Sequence, residues 1–196
     1  MARKTSVVTP ERFAKGFTFQ EYLAQIKVNR DRFEQFYADC RLSPRDAAFF
    51  RSAAQHPGGA AKVLVLGEDW CPDVYRGLPA MVRIAEAGGM ELRIFPRDQN
   101  LDIMDEFLNK GEFRSIPVAV FYTRGVDYLC HWVERPALAN QERPRIEEEV
   151  RREMPGASDV DLRAAIRART QPRHPAWQQE SVREMRELLA KRLGLT

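Results

Sequence analysis

Apolar and polar positions follow three different rhythms along the chain. From about residue 17 to 56, Tyr22, Leu23, Ile26, Phe33, Phe36 and Tyr37 recur at near-helical spacing, with a phase break near Asn29. Thr18 followed by Glu21 predicts a capping box, in which each side chain satisfies a free backbone N–H. Ser43-Pro44 predicts another helix start, with Ser as N-cap and Pro where its missing N–H does no harm, and His56-Pro57-Gly58-Gly59 ends that helix. From 61 to 137 the rhythm shortens. Lys62 to Leu66 reads as a buried strand, Cys71 to Ala87 as a helix stopped by Gly88-Gly89, and Met90 to Phe95 as a second strand. Leu101 to Asn109 reads as a short helix, and Val118–Tyr122 and Val126–Val133 as two strands around Thr123-Arg124-Gly125. The order β-α-β-α-β-β predicts an α/β fold, a central mixed sheet with two crossover-linked strands and a hairpin.

The remainder is helical and charged. Glu142 to Glu153 carries mixed charges nearly all round, and Ser158 followed by Asp161 resembles a helix start. Trp177, Val182, Met185, Leu189 and Leu193 form an apolar stripe across Ala176–Leu193 that should pack on the core. The Pro-rich joints near Pro144, Pro155 and Pro172–Pro175 read as turns rather than interdomain linkers. Residues 1–196 thus read as a single domain, with a core at 61–137, an N-terminal helical extension at 17–56 and a C-terminal one at 138–196.

Composition narrows the function. Of 196 residues, 44% are hydrophobic and 30% charged, enough to bury a real core. Net charge is +3, from 31 basic and 28 acidic residues, and the basic ones lie among acids with no aromatic interleaving. No nucleic-acid partner is therefore expected. No run approaches the roughly 18–20 apolar residues that span a bilayer, so no membrane partner is expected. The three cysteines, Cys40, Cys71 and Cys130, are too few for a disulfide-stapled scaffold, and no apolar leader follows Met1–Thr5. A reducing, cytoplasmic setting is the expectation. His56, His131 and His174 have no partner at metal-ligand spacing, and no Gly-rich phosphate loop occurs. No metal or cofactor is called for.

The candidate chemistry lies in Gly67-Glu68-Asp69-Trp70-Cys71-Pro72-Asp73-Val74. It places Cys71 directly after a strand at the first turn of a helix, where unpaired N–H groups and the macrodipole favour a thiolate. The bland alternative is a small apolar residue that fills space. Glu68, Asp69 and Asp73 stand close in sequence, and if they face the sulfur their charge opposes the helix dipole.

Further residues weigh on that choice. Trp70-Cys71, Pro79, Asp98-Gln99-Asn100, Arg114-Ser115-Ile116-Pro117 and Gly125 occur in an order and spacing that resembles the thioredoxin superfamily, over about 75 of the 196 residues. More narrowly, Trp70 to Asp73, Arg97 to Asp105, Ser115 to Pro117 and Trp132 to Pro136 resemble a thioredoxin-like branch in which the second active-site Cys is often absent. The resemblance implies a helix kinked at Pro79 and a cis bond before Pro117, facing the sulfur. It also implies that Ile116 offers its main chain to an extended substrate segment. Trp70, Pro72, Asp73, Ile116, Pro117 and Trp132 are then the expected substrate-contact residues around the nucleophile Cys71.

Two departures limit the comparison. Val74 stands where the family's dithiol members carry their second Cys, and Val65 where they carry a buried Asp. A self-contained Cys-x-x-Cys cycle is excluded; a lone thiol can still exchange with a disulfide if an external thiol releases it. Cys40 and Cys130 read as packing residues that do not pair with Cys71. Two functions follow. One is a monothiol thiol–disulfide oxidoreductase acting on a protein or a low-molecular-weight disulfide such as glutathione. The other is a degenerate thioredoxin-fold binding module without turnover. The added helices either complete the core or build a homodimer interface.

Overall fold

The computed structural model describes residues 6–195. Lys62–Gly67 is the first strand, β1, and apart from half-buried Lys62 every residue of it is buried, as a strand covered on both faces requires. It lies parallel to β2 (Glu91–Pro96) and antiparallel to β3 (Val118–Tyr122), which pairs in turn with β4 (Tyr128–Val133). The sheet order is β2-β1-β3-β4. Because Leu66 faces Val118 and Lys62 faces Tyr122, the sheet has two distinct ends: one where β1 delivers the chain to Cys71, the other at the β3–β4 turn.

One face of the sheet carries a full helical layer. The helix α5 (Pro72–Gly88) packs on it and buries Val74, Tyr75, Leu78, Met81, Val82 and Ile84, the aliphatic and Met side chains contributing roughly 1.5–3 kcal/mol each. Pro79 sits inside α5, where it can donate no bond to the preceding turn. Gly89 ends the helix at φ 65°, a left-handed conformation glycine adopts without penalty. Helices α3 (Arg30–Asp39), α4 (Pro44–Gln55) and α9 (His174–Leu193) pack against α5, and α9 also covers β4. The expected stripe holds: Trp177, Val182, Met185 and Leu189 are buried, with Leu193 packed partly against the core. The N-terminal α1 (Pro10–Phe13) and α2 (Phe19–Gln25) flank the other edge, where Phe17 exchanges both backbone bonds with Ile94 and so occupies the outer side of β2. The Thr18–Glu21 capping box and the Ser43 and Ser158 caps form as the sequence predicts.

Several expectations need correction. The helix expected over Leu101–Asn109 is α6, Leu101–Met104, and it stops there. Beyond it Phe107 is drawn into the core, and Asn109 and Phe113 bond to each other around Lys110 and Gly111, both at positive φ. The last strand begins at Tyr128 rather than Val126, which adopts φ 69°. Pro144 is not a turn: it lies inside α7 (Ala137–Glu153), which starts five residues before the expected Glu142. Contacts with α9 hold that early part, since the Ala137 N–H donates to Glu184 and Glu142 accepts from Trp177 Nε1, both at 2.7 Å. Pro172 lies in a 3-10 turn and Pro175 in the first turn of α9 rather than in a loop. The charged α8 (Asp159–Thr170) packs on α7.

Candidate functional site

Cys71 is the N-cap residue of α5, with φ −83° and ψ 121°, and Pro72 occupies the first turn. The Cys71 thiol lies 3.9 Å from the carbonyl oxygen of Ile116, and the Ile116–Pro117 peptide bond is cis. Close approach of that loop to α5 depends on Gly77, where an added Cβ would come within 3.2 Å of Pro117 Cγ. Gly67 does the same for Val74: a Cβ there would meet Val74 Cγ1 at 2.7 Å. Two glycines thus let strand, helix and loop converge around the thiol.

The thiol is nearly covered, with Cys71 only 9% exposed. Burial pushes its pKa up from the ordinary thiol value. The backbone N–H groups of Val74 and Asp73 favour the thiolate and offset part of this, the Asp73 carboxylate opposes it and the Arg76 guanidinium favours it. Burial wins over the helix start.

The three nearby carboxylates are each engaged elsewhere. Glu68 accepts the Asp98 N–H at 2.7 Å, which ties the loop after β1 to the loop after β2, and burial raises its pKa. Asp69 Oδ2 accepts the N–H groups of Lys27 at 2.7 Å and Val28 at 3.3 Å, while Asn29 Nδ2 donates to the Asp69 carbonyl at 2.9 Å. Asn29 itself is left-handed, at φ 60°, and this is the phase break between α2 and α3. The N-terminal helices are therefore clamped onto the Cys71 loop. Asp73 binds Arg76 at 2.5 Å, with Arg135 at 3.8 Å and Arg143 at 3.9 Å beyond it.

The contact residues named from sequence divide into an outer and an inner set. Trp70 is 51% exposed, with the Arg97 guanidinium 5.3 Å from its ring centre, and Pro72 is exposed. Asp73 is half-buried, and Ile116 and Pro117 are buried beside the thiol. Trp132 is not part of an outer contact surface: it is buried, and its indole N–H donates to Glu184 of α9 at 2.7 Å. With Asp73 and Gly77 it lines a small cavity of about 30 Å³.

Sequence reasoning passed over Tyr22. Its hydroxyl is buried with no hydrogen-bond partner among the described residues. Burial raises its pKa, and the charges of Asp69, Glu68 and Cys71 raise it further. Its ring packs edge-on against Phe33 at 5.7 Å, and Phe33 against Tyr75 of α5 at 6.2 Å. Only its membership of the apolar stripe in the first rhythm singled it out, and that stripe reports burial, not proximity to a thiol.

A mixed sheet, a cysteine at the start of the long central helix and a proline loop against its sulfur define a thioredoxin-like protein. A family model described as thioredoxin matches residues 16–146, about two thirds of the 196-residue chain, and the chain belongs to that family. The match takes in α2, α3, α4 and the start of α7, so it reaches well beyond 61–137. Among solved structures, a protein of unknown function from Pseudomonas aeruginosa is similar at a TM-score of 0.66 and 16% identity, covering 94% of this chain and 98% of that one. An HIV epitope-scaffold is similar at a TM-score of 0.62 and 18% identity, covering 92% and 96%. At these identities the likeness is one of fold. No curated protein matches the chain.

Proposed function

We propose that this protein performs monothiol thiol–disulfide exchange, with Cys71 as the reacting group. The observation that carries this reading is the 3.9 Å approach of the Cys71 sulfur to the Ile116 carbonyl, which seats the thiol against the main chain of the loop before β3. In the exchange, the Cys71 thiolate attacks one sulfur of a disulfide R–S–S–R′. A Cys71–S–S–R bond forms, and R′–S⁻ leaves with the electron pair of the broken S–S bond. Val74 supplies no second sulfur, so an external thiolate must attack the mixed disulfide, releasing R as the new disulfide and returning Cys71 as thiolate. The Val74 and Asp73 N–H groups hold the thiolate in the free protein, and exposed Trp70 and Pro72 form the outer wall for the incoming chain. The substrate class is a protein or low-molecular-weight disulfide.

Because burial raises the Cys71 pKa, the thiolate is a minor species at neutral pH and the rate should climb steadily as pH rises into the alkaline range. Intact-mass measurement after incubation with oxidised glutathione tests this. One glutathione adduct is expected on the native chain, forming faster at pH 9.5 than at pH 7, and none on Cys71→Ser. An adduct that persists in Cys71→Ser would place the reactive sulfur elsewhere.

The burial of the thiol, 9% exposed, favours a second reading, in which the fold binds a partner segment without redox turnover. A native chain that binds its partner equally well with Ser at 71 and never acquires an adduct would select that reading.

A further inference from the structure

The Trp132–Pro136 segment brings Arg135 to Asp73, a contact that thiol exchange by itself does not use. Asp73 follows the thiol by two residues and acts on it in two opposed ways: its N–H favours the thiolate and its carboxylate opposes it. The side chain is 14% exposed, so water and salt screen its charge only weakly. Its Oδ1 accepts from Arg76 Nη2 at 2.5 Å. Its Oδ2 stands 3.8 Å from Arg135 Nε and 3.9 Å from Arg143 Nη1, within ion-pair reach but too far for hydrogen bonds.

Both of these arginines are anchored by another nitrogen. Arg135 Nη2 donates to Glu134 at 2.6 Å, and Arg143 Nε donates to Glu147 at 2.8 Å. Arg135 Nε is buried with no hydrogen-bond partner among the described residues, and it is this nitrogen that stands by Asp73 Oδ2. Arg135 lies at the joint between β4 and α7 and Arg143 on α7, both more than 60 residues beyond Asp73. The chain after the sheet thus completes a clamp of three guanidinium groups on the carboxylate next to the thiol.

We propose that Arg135 and Arg143 are positioning residues for Cys71: they hold the Asp73 carboxylate toward α7, where its charge is neutralised, and leave the Asp73 N–H to act on the sulfur. The inference rests on Cys71 as the reacting group. Without the two arginines, Arg76 alone among the described residues is paired with the carboxylate, and the uncompensated Oδ2 disfavours a thiolate close by. The other ionisable groups at this end are Tyr22 of α2, Arg32 of α3, Glu68 and Asp69 of the Cys71 loop, and His174 and Glu184 of α9. His174, pushed down to about 4 by burial, is neutral at alkaline pH.

Alkylation of the Cys71 peptide by iodoacetamide, a neutral reagent, followed against pH in the full chain, tests the clamp. The Arg135→Gln, Arg143→Gln variant should displace the profile upward by about half a pH unit, which is about threefold in rate at pH 8. Arg135→Lys, Arg143→Lys keeps both charges and should stay within about 1.5-fold of the native rate. Glu134 and Glu147 lose their partners in the Gln variant, so Asp73→Asn is added to it: a return to the native rate or above assigns the slowing to the Asp73 carboxylate. Cys130 should react at its native rate in every variant. A native profile in the Gln variant, slowing in the Lys variant, slowing that survives Asp73→Asn, or an equal change at Cys130 overturns the proposal, as does a Cys71 that reacts in none of the chains. A protein that shows the expected order of rates yet takes no glutathione loses the disulfide exchange and keeps the clamp.

Discussion

Cys71 and Cys130 have nearly the same exposure, 9% and 8%, yet they occupy opposite electrostatic settings. Cys130 lies in the middle of β4, where burial pushes its thiol up to about 12 against the opposing charge of Arg192. Cys71 lies at the start of α5, where the N–H groups of Val74 and Asp73 and the Arg76 guanidinium work against the same burial. Accessible area does not distinguish the two sulfurs; the backbone donors of a helix start do. No backbone N–H group among the described residues favours a thiolate at Cys130, whereas the start of α5 offers Cys71 two.

The largest effect that would sharpen this contrast comes from returning a second sulfur to the helix. Val74 is fully buried and its N–H bonds to the Cys71 carbonyl at 3.1 Å, so its side chain projects from the same first turn. Val74→Cys should form an intramolecular disulfide with Cys71 under mild oxidation, an all-or-none loss of two mass units that reduction restores. The packing loss is about 1 kcal/mol, as for removing a single buried methyl. If instead Val74→Cys couples to nothing, or a Cys130 disulfide appears, the first turn of α5 is not the reactive place that the backbone donors make it.

Alkaline unfolding tests the other side of the contrast. Cys130 has a native pKa of about 12 against an unfolded value near 9. Between those values the unfolded chain loses a proton that the folded chain keeps, so stability falls as pH rises from 9. By pH 11 the share due to Cys130 is about 2–3 kcal/mol. Urea unfolding of the native chain and of Cys130→Ala at pH 8 and pH 11 isolates it, because every other group cancels in the difference. The native chain should lose that much more than the variant. An equal loss in both would mean that Cys130 ionises freely in the fold and that its burial is not what separates it from Cys71.

How far such contrasts can be read from sequence depends on the distance over which each is made. The Thr18–Glu21 box and the Ser43 and Ser158 caps join residues three apart, and the chain displays them directly. The run Lys62–Leu66 and the stripe of α5 are equally local patterns, and with them come the sheet and the helix that carries Cys71. Asp69 bonding to Lys27 and Val28 joins residues about 40 apart, and nothing at either position announces it. Pro144 reads as a stop because its ring breaks helices in isolation; Trp177 and Glu184, on a helix more than 30 residues later, keep α7 intact around it. The end of α6 at Met104 is decided by Phe107 finding Tyr128, and the burial of Cys71 by Ile116 and its neighbours. The motif located the sulfur correctly, but the sign of its pKa shift belongs to packing.

Tyr22 offers the smallest and most selective test. Its hydroxyl is buried with no partner among the described residues, at the Cys71 end of the molecule and not the Cys130 end. A buried hydroxyl without a partner is destabilising by about 1–3 kcal/mol, and Phe fills the same space without it, so Tyr22→Phe should raise stability by about 1 kcal/mol. Because burial and the neighbouring carboxylates keep the Tyr22 phenol protonated, it contributes no charge to the thiol. The rate of Cys71 alkylation against pH should then be the same in Tyr22→Phe and in the native chain, within about twofold, and Cys130 should not respond at all. A Cys71 profile displaced upward in pH, together with a loss of stability, would mean that the phenol donates a hydrogen bond to the thiolate in solution. The distinction drawn from backbone donors would then need a side-chain donor as well.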